Sequence, residues 1–367
     1  MAKVFDERVD YAVKQLWNAP YQGDGEKAKA LLKEAADEGD GDACYFLGRC
    51  YLGECFINPV FGFEENEELG IEYFQKSLEL GSAVGMFATM RLGGFEPRTG
   101  TFVNPPYHSM REIWNEVEEL AKNGQGFCQY LIANAYYYGD VIKFWEIPNV
   151  QQQDLYTFTM HAMDLYDLCI QNGIAMGIGN YIDIVTSGDY GIPVQEEKAR
   201  QLRHIGADMQ VGEYETMVGD EYFPMEAVKA IEMYERAISH GDKEAYGRLG
   251  KVYFYGGNGV MQNYNKAIQY FLEAKKYSNW CSDFLGTCYL KGLGTSVNYA
   301  AAKNEFEIYP DEYLSAVGLG EIYAYGLGVP ADIKKGMEYW NKFPNDPRVV
   351  ENKRNFKKTL FGWKARN

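Results

Sequence analysis

Side chains that could do acid–base, metal or nucleophilic chemistry are sparse in this sequence. Histidine occurs at four positions, His108, His161, His204 and His240. No two stand at metal-binding spacing, and H-E-x-x-H, which would set two imidazoles on one helical face, is absent. Each is expected at the surface or at a helix end. The phosphate cradle G-x-x-x-x-G-K-[ST] and the hydrolase elbow G-x-S-x-G are also absent. Gly256-Gly257-Asn258-Gly259 lies between two helical patterns rather than after a strand, so it reads as a turn. The carboxylate pairs Glu64-Glu65 and Glu67-Glu68 precede a helix, where acidic side chains complement the macrodipole. These patterns give no catalytic residues, no metal ligands and no cofactor, and the expectation is a protein that is not an enzyme.

The seven cysteines carry no C-x-x-C pair, so nothing points to zinc, and an odd number leaves at least one unpaired within the chain. Cys281 and Cys288 are seven residues apart on one helical pattern. At the helical rise that is about 10 Å, beyond the reach of a disulfide, and Cys44 with Cys50 fails in the same way. Reduced thiols at helix contacts are expected.

What the sequence does specify is a repeat. Ala245-x-x-x-Leu249-Gly250-x-x-Tyr253-x-x-Gly256 is followed by Gly259-Val260 and then Lys266-Ala267-x-x-Tyr270-Phe271-x-x-Ala274. Leu285-Gly286-x-x-Tyr289-x-x-Gly292-Leu293-Gly294 restates it, as does Leu319-Gly320-x-x-Tyr323-x-x-Gly326-Leu327-Gly328-Val329, which closes with Gly336-x-x-Tyr339-Trp340. Near the N-terminus, Ala43-x-x-x-Leu47-Gly48-x-x-Tyr51 precedes Gly70-Ile71-x-Tyr73-Phe74. Alanine, leucine, glycine and tyrosine at i, i+4, i+5 and i+8 share one stripe of a helix. The small residues admit a neighbouring helix closely, and the glycine turn ends the helix with residues able to adopt positive φ. One such hairpin cannot bury its own stripe, so hairpins must stack. About nine hairpins are expected, with first helices near 5–18 and 26–38 and degenerate units near 174–223. Tyr51, Tyr253, Tyr289 and Tyr323 are repeat positions assigned to the core.

The pattern resembles the Sel-one-like repeat family, α/α-solenoids related to tetratricopeptide repeats, over roughly residues 25–342. The resemblance implies an all-α, right-handed superhelical solenoid that organises protein complexes, and it implies no shared catalytic residues. The expected organisation is one solenoid over 1–346 and a basic capping helix or tail over 347–367. Cysteine-rich relatives that bind or hydrolyse β-lactams supply an alternative function, that of an enzyme or small-ligand binder. This chain lacks their regularly repeated cysteine pairs.

Two surfaces are candidates for partner binding. Three N-terminal units carry insertions between their helices, at 54–63, 94–108 and 140–153, holding Phe56, Phe61, Phe63, Phe95, Phe102, Tyr107, Phe144 and Trp145. These rings either fold back on the solenoid edge or form an aromatic recognition edge. The second surface is the concave face that first helices line in tetratricopeptide-like solenoids. By register it includes Tyr45, Arg49, Tyr130, Asn134, Tyr137, Lys251, Tyr255 and Glu321. Tyrosine suits a peptide groove, and equally suits hairpin-to-hairpin packing.

Charge limits the partner. Acidic residues outnumber basic ones 52 to 36, and the surplus is uneven: residues 1–120 and 121–240 carry nets of −11 and −10, residues 241–367 a net of +5. The acidic body repels nucleic acid, leaving only the basic stretch Arg348 to Arg366 for such a contact. It would steer a basic protein or peptide, and the charge asymmetry also permits head-to-tail self-association. No stretch of about 18 apolar residues occurs to span a membrane. The N-terminus has no apolar signal core, so a cytoplasmic location is expected.

Overall fold

The computed structural model of the chain describes residues 4–17, 25–52, 64–91, 95–96, 101–102, 109–359 and 362–366. Among these residues the architecture is all-α, an array of helical hairpins with two short antiparallel ladders. The chain falls into two compact units, Met1–Tyr214 and Glu215–Asn367.

The first unit opens with α1 (Glu7–Trp17) and α2 (Gly25–Asp37), close to the expected bounds. It continues with α3 (Gly41–Tyr51), α4 (Glu67–Glu79) and α5 (Ala83–Arg91), then the two-residue strands β1 (Phe95–Glu96) and β2 (Thr101–Phe102). After these come α6 (Met110–Lys122), α7 (Gly126–Tyr137), the single turn α8 (Val141–Phe144), α9 (Gln152–Gln171), α10 (Gly177–Ser187) and α11 (Glu196–Asp208). The boundary between units falls within α12 (Gly212–Tyr222). The second unit contains α13 (Ala227–Ser239), the hairpins α14 (Ala245–Tyr255) with α15 (Tyr264–Lys275), α16 (Ser282–Lys291) with α17 (Tyr299–Phe306), and α18 (Tyr313–Tyr325) with α19 (Ile333–Trp340).

Each repeated residue has a physical task. The tyrosine of Leu-Gly-x-x-Tyr gives its carbonyl to the backbone N–H of the residue that caps the second helix: Asn66 to Tyr51, Asn263 to Tyr253, Asn298 to Tyr289 and Asp332 to Tyr323. The side chain of that cap then accepts from the N–H three residues on, at Leu69, Lys266, Ala301 and Lys335. An N-cap of this kind stabilises its helix by about 1 kcal/mol. Between tyrosine and cap, Gly292 and Gly326 end their helices at φ of 68° and 69°, where a Cβ would be strained.

The glycine of Leu-Gly sits under a large ring of the second helix: Gly250 under Phe271, Gly286 under Phe306, Gly320 under Trp340. The tyrosine ring stacks on a tyrosine of the second helix in three hairpins. Tyr51–Tyr73, Tyr253–Tyr270 and Tyr323–Tyr339 have centroids 5.7–5.9 Å apart and planes within 6°. Lys266 and Lys335 lie 4.7 and 3.8 Å from the centroids of Tyr253 and Tyr323. Tyr51 and Tyr323 are buried as their register predicts, whereas Tyr253 and Tyr289 are half-buried at the edge of the core.

The last segment differs from the expected helix or tail. A short helix, α20 (Pro347–Arg354), is capped by Asp346, and β3 (Phe356–Thr359) then pairs antiparallel with β4 (Gly362–Ala365). Phe356 is buried beside Trp340 and Tyr325, and the half-buried Trp363 packs on the same cluster, so two rings pin the hairpin to the final repeat. Its basic residues then extend along two strands rather than around a helix.

Candidate protein-interaction surface

Of the inserted rings, Phe56, Phe61, Phe63 and Tyr107 lie outside the described residues. Phe95 and Phe102 are cross-strand partners in the β1–β2 ladder. Phe144 is core rather than recognition edge. It is 2% exposed, stacked 4.7 Å from Phe87 and 5.5 Å from Trp114, because α8 folds the third insertion back onto α5 and α6. An ion pair from Arg91 Nε to Asp140 Oδ2 at 2.6 Å ties the start of that insertion to the end of α5. Trp145 is half-buried, edge-on to Trp114, with the Arg111 guanidinium 4.3 Å from its ring centroid.

On the first helices of the first unit, three more expected contact residues, Tyr45, Arg49 and Asn134, are engaged in internal contacts. Tyr45 is 2% exposed among Phe46, Phe74 and Phe127, which fill the space its register points into. Arg49 is half-buried over the rings of Tyr45 and Phe127 and donates to the Tyr45 hydroxyl at 3.0 Å. Asn134 is 5% exposed, and its Oδ1 accepts from the Tyr166 hydroxyl at 2.6 Å and from Asn180 at 2.8 Å. A buried amide so engaged is a structural pin. Tyr130 and Tyr137 are half-buried, Tyr137 packing against the exposed Tyr138.

The second unit brings charged and aromatic groups together at the surface. On α14, Arg248, Lys251 and Tyr255 recur at helical spacing. The Arg248 guanidinium carbon lies 4.8 Å, and the Lys251 ammonium 4.6 Å, from the Trp280 ring centroid in the turn before α16. Lys251 is also 5.1 Å from Phe284. Tyr255, 55% exposed, stands edge-on to Phe284 at 5.9 Å. Across the face, Arg348 of α20 lies 4.9 Å from the ring of Tyr313 of α18. Glu321, expected here from its register, is instead 9% exposed: Lys291 pairs with one oxygen and Asn352 of α20 approaches the other.

The electrostatics of this cluster are unusual. Asp283 is half-buried on the first turn of α16, and burial pushes its carboxyl up to about 6. Its Oδ1 accepts only the N–H of Phe284, and no cation among the described residues lies within ion-pair distance. Burial, then the neighbouring Arg248 charge, pushes the Lys251 ammonium down. Lys251 makes no ion pair with any described residue. Two perturbed groups of opposite charge, neither in an ion pair with a described residue, stand beside exposed rings and are a candidate site by physical criteria. Sequence reasoning reached Lys251 and Tyr255 through the repeat register. It missed Trp280, which lies in a turn outside the repeating phrase, and Asp283, whose register position holds Tyr45, Gly247 and Val317 in other repeats.

The described histidines are scattered. His161 packs on Tyr136, His204 lies by Arg200, and His240 Nδ1 meets the buried Glu215 carboxylate at 2.6 Å. His108 lies outside the described residues. Among those described, no group of three histidine, cysteine or acidic residues could hold a metal. Six cysteines of the described residues are buried, with burial pushing Cys44 and Cys281 up to about 11. No described helix is long and apolar enough to cross a membrane.

Comparison with known proteins bears on this architecture. Six segments, residues 20–40, 41–82, 212–242, 243–276, 284–304 and 314–343, match the Sel1 repeat. No curated protein matches the chain. Among solved structures, the chain is similar to a protective antigen of uropathogenic Escherichia coli strains that displays an SLR fold. The identity is 19% and the TM-score 0.52, over 95% of this chain and 71% of that one. It is also similar to a Sel1 repeat protein from Oxalobacter formigenes, at 20% identity and a TM-score of 0.50, over 71% of this chain and 96% of the other. At these identities the likeness is one of fold.

Proposed function

Because the chain is a Sel1-like repeat protein, built of hairpins of the kind that serve as protein-interaction scaffolds, we propose that it is a non-enzymatic adaptor. It holds a protein or peptide on the face formed by α14, α16, α18 and α20 of its second unit. The observation that carries this reading is the pairing of Lys251 and Asp283, half-buried and without ion-pair partners, beside the exposed ring of Tyr255. Leaving such groups uncompensated costs stability, and a partner that engages them recovers that cost on binding. The buried thiols and the scattered imidazoles supply no nucleophile–base pair that would favour catalysis instead.

The test is cross-linking capture with the intact chain as bait, beside a Lys251→Gln/Tyr255→Ala variant and a Trp145→Ala variant. Both variants must retain wild-type helicity by circular dichroism. A discrete partner captured by the intact chain and lost from the first variant alone supports the α14–α20 face. Loss only from Trp145→Ala would move the binding edge to the first unit and overturn the assignment.

A further inference from the structure

The accounting of donors and acceptors on this face goes one step further and rests on the α14–α20 face being the binding surface. Asp220 accepts from the Tyr234 hydroxyl at 2.7 Å with one oxygen, and its other oxygen is ion-paired with Arg248 at 3.0 Å from Nε. Asp346 is committed to the Tyr313 hydroxyl and to the N–H groups of Arg348 and Val349 that it caps. Among the described residues, Asp283 keeps one uncommitted oxygen, and the exposed Glu312 side chain before α18 has no hydrogen-bond or ion-pair partner. The donors are unsatisfied. Arg248 comes closest to a carboxylate at Nε, and neither its guanidinium nor Lys251 Nζ makes a hydrogen bond to a described residue. Both cations are held over one indole, which orients them; Arg248 is ion-paired with Asp220, whereas Lys251 has no ion pair with a described residue.

We infer that the partner presents a carboxylate side chain, in an acidic peptide segment, to Arg248 and Lys251 over Trp280, with an apolar neighbour of that carboxylate packing on Tyr255. An ionised acceptor forms the strongest hydrogen bonds these donors can make, and the guanidinium fork favours a planar carboxylate. A cationic side chain at the same place would meet two like charges already crowding one ring. Acidic residues exceed basic ones by 52 to 36 over the chain, yet here two cations converge on one ring. Asp283 opposes the incoming carboxylate, and it therefore acts as a brake on affinity.

An array of random 12-residue peptides, probed with the labelled full-length chain at pH 7, tests this directly. Lys251→Gln, Asp283→Asn and Tyr255→Ala are probed in parallel after circular dichroism confirms unchanged helicity. The expected result is several-fold enrichment of aspartate and glutamate among bound peptides. Lys251→Gln should weaken those peptides about tenfold, and Asp283→Asn should strengthen them several-fold. Enrichment of lysine and arginine, or acidic enrichment indifferent to Lys251→Gln, overturns the inference. Dependence on Tyr255 separates the two levels. Peptides that depend on Tyr255 without acidic bias leave the face intact and remove only the carboxylate. Peptides indifferent to Tyr255→Ala remove the face as well. An array that binds nothing overturns the acidic-peptide inference and leaves the face to a folded partner.

Discussion

Gly320→Ala sets two well-known effects against each other, and the structure decides which wins. On an open helix surface the change would stabilise, since alanine exceeds glycine by about 1 kcal/mol in helix propensity. At Gly320 a methyl group would lie 2.2 Å from Cδ1 and Nε1 of Trp340, well inside contact distance. Trp340 has no room to retreat: it is fully buried, its Nε1 donates to the Val317 carbonyl at 3.1 Å, and Phe356 lies 5.9 Å away. Overpacking of this kind costs about 1–3 kcal/mol, and loss of the indole hydrogen bond adds about 1 kcal/mol. The net expectation is destabilisation by about 2 kcal/mol, or a fall of roughly 4–8 °C in the melting temperature of a unit this size. Thermal unfolding by circular dichroism and calorimetry reads it. Gly179→Ala in α10 is the internal control, because its methyl group would meet only the Tyr214 hydroxyl at an ordinary 3.5 Å. That change should stabilise by about 0.4–1 kcal/mol. A Trp340→Phe change in the Gly320→Ala background should recover part of the loss, and the cycle should show coupling of about 1 kcal/mol. If Gly320→Ala raises the melting temperature as Gly179→Ala does, the close-approach account of the Leu-Gly pair is wrong.

Three further outcomes are expected. The Asp283 carboxyl is raised from the ordinary 3.8 to about 6, so the folded state holds its proton more tightly than the unfolded chain. Its stability contribution is then complete below about pH 4 and is lost as pH rises through 6; Asp283→Asn should stabilise by about 1–2 kcal/mol at pH 7 and change little at pH 4. Equal effects at both pH values would show that the carboxyl titrates normally. The six buried cysteines should resist a disulfide reagent at pH 8 until the chain is denatured, since burial holds Cys288 at about 12 and Cys281 at about 11. Only Cys55, outside the described residues, is left to react, and a native count above one would contradict the buried packing. In the terminal hairpin Lys357 stands directly opposite Lys364. Lys364→Glu should stabilise by about 0.2–1 kcal/mol at low salt and lose that gain at high salt; no salt dependence would mean the pair is not formed.

The fold was legible because its signals are local and repeated. Leu-Gly-x-x-Tyr followed by a glycine turn fixes where one helix ends, which side faces the next and where backbones come close. Even the degenerate stretch keeps the rule in a weaker spelling. Val218-Gly219-x-x-Tyr222 in α12 places Gly219 under Tyr234, as Gly250 lies under Phe271, and only the loss of one methylene from leucine hides it. The terminal hairpin was not legible, because a two-stranded ladder of four residues a side has no periodicity to distinguish it from a basic helix.

The site was legible only in part, for a reason that the repeat itself explains. Register gives the direction of a side chain, and the neighbours give its depth. The residue after each Leu-Gly pair points the same way in every hairpin, yet Lys251 reaches the surface whereas Glu321 is 9% exposed. The difference lies outside the repeat: α20 follows the last hairpin and brings Asn352 against Glu321, while Lys251 faces the turn carrying Trp280. Two residues before leucine, the same register holds Tyr45, sealed by Phe74 and Phe127, and Asp283, left half-open without a cation. A repeat sequence therefore predicts its scaffold from within each unit. Its binding chemistry arises where one unit's conserved direction meets another unit's unrepeated side chain, and that pairing is a property of the stack.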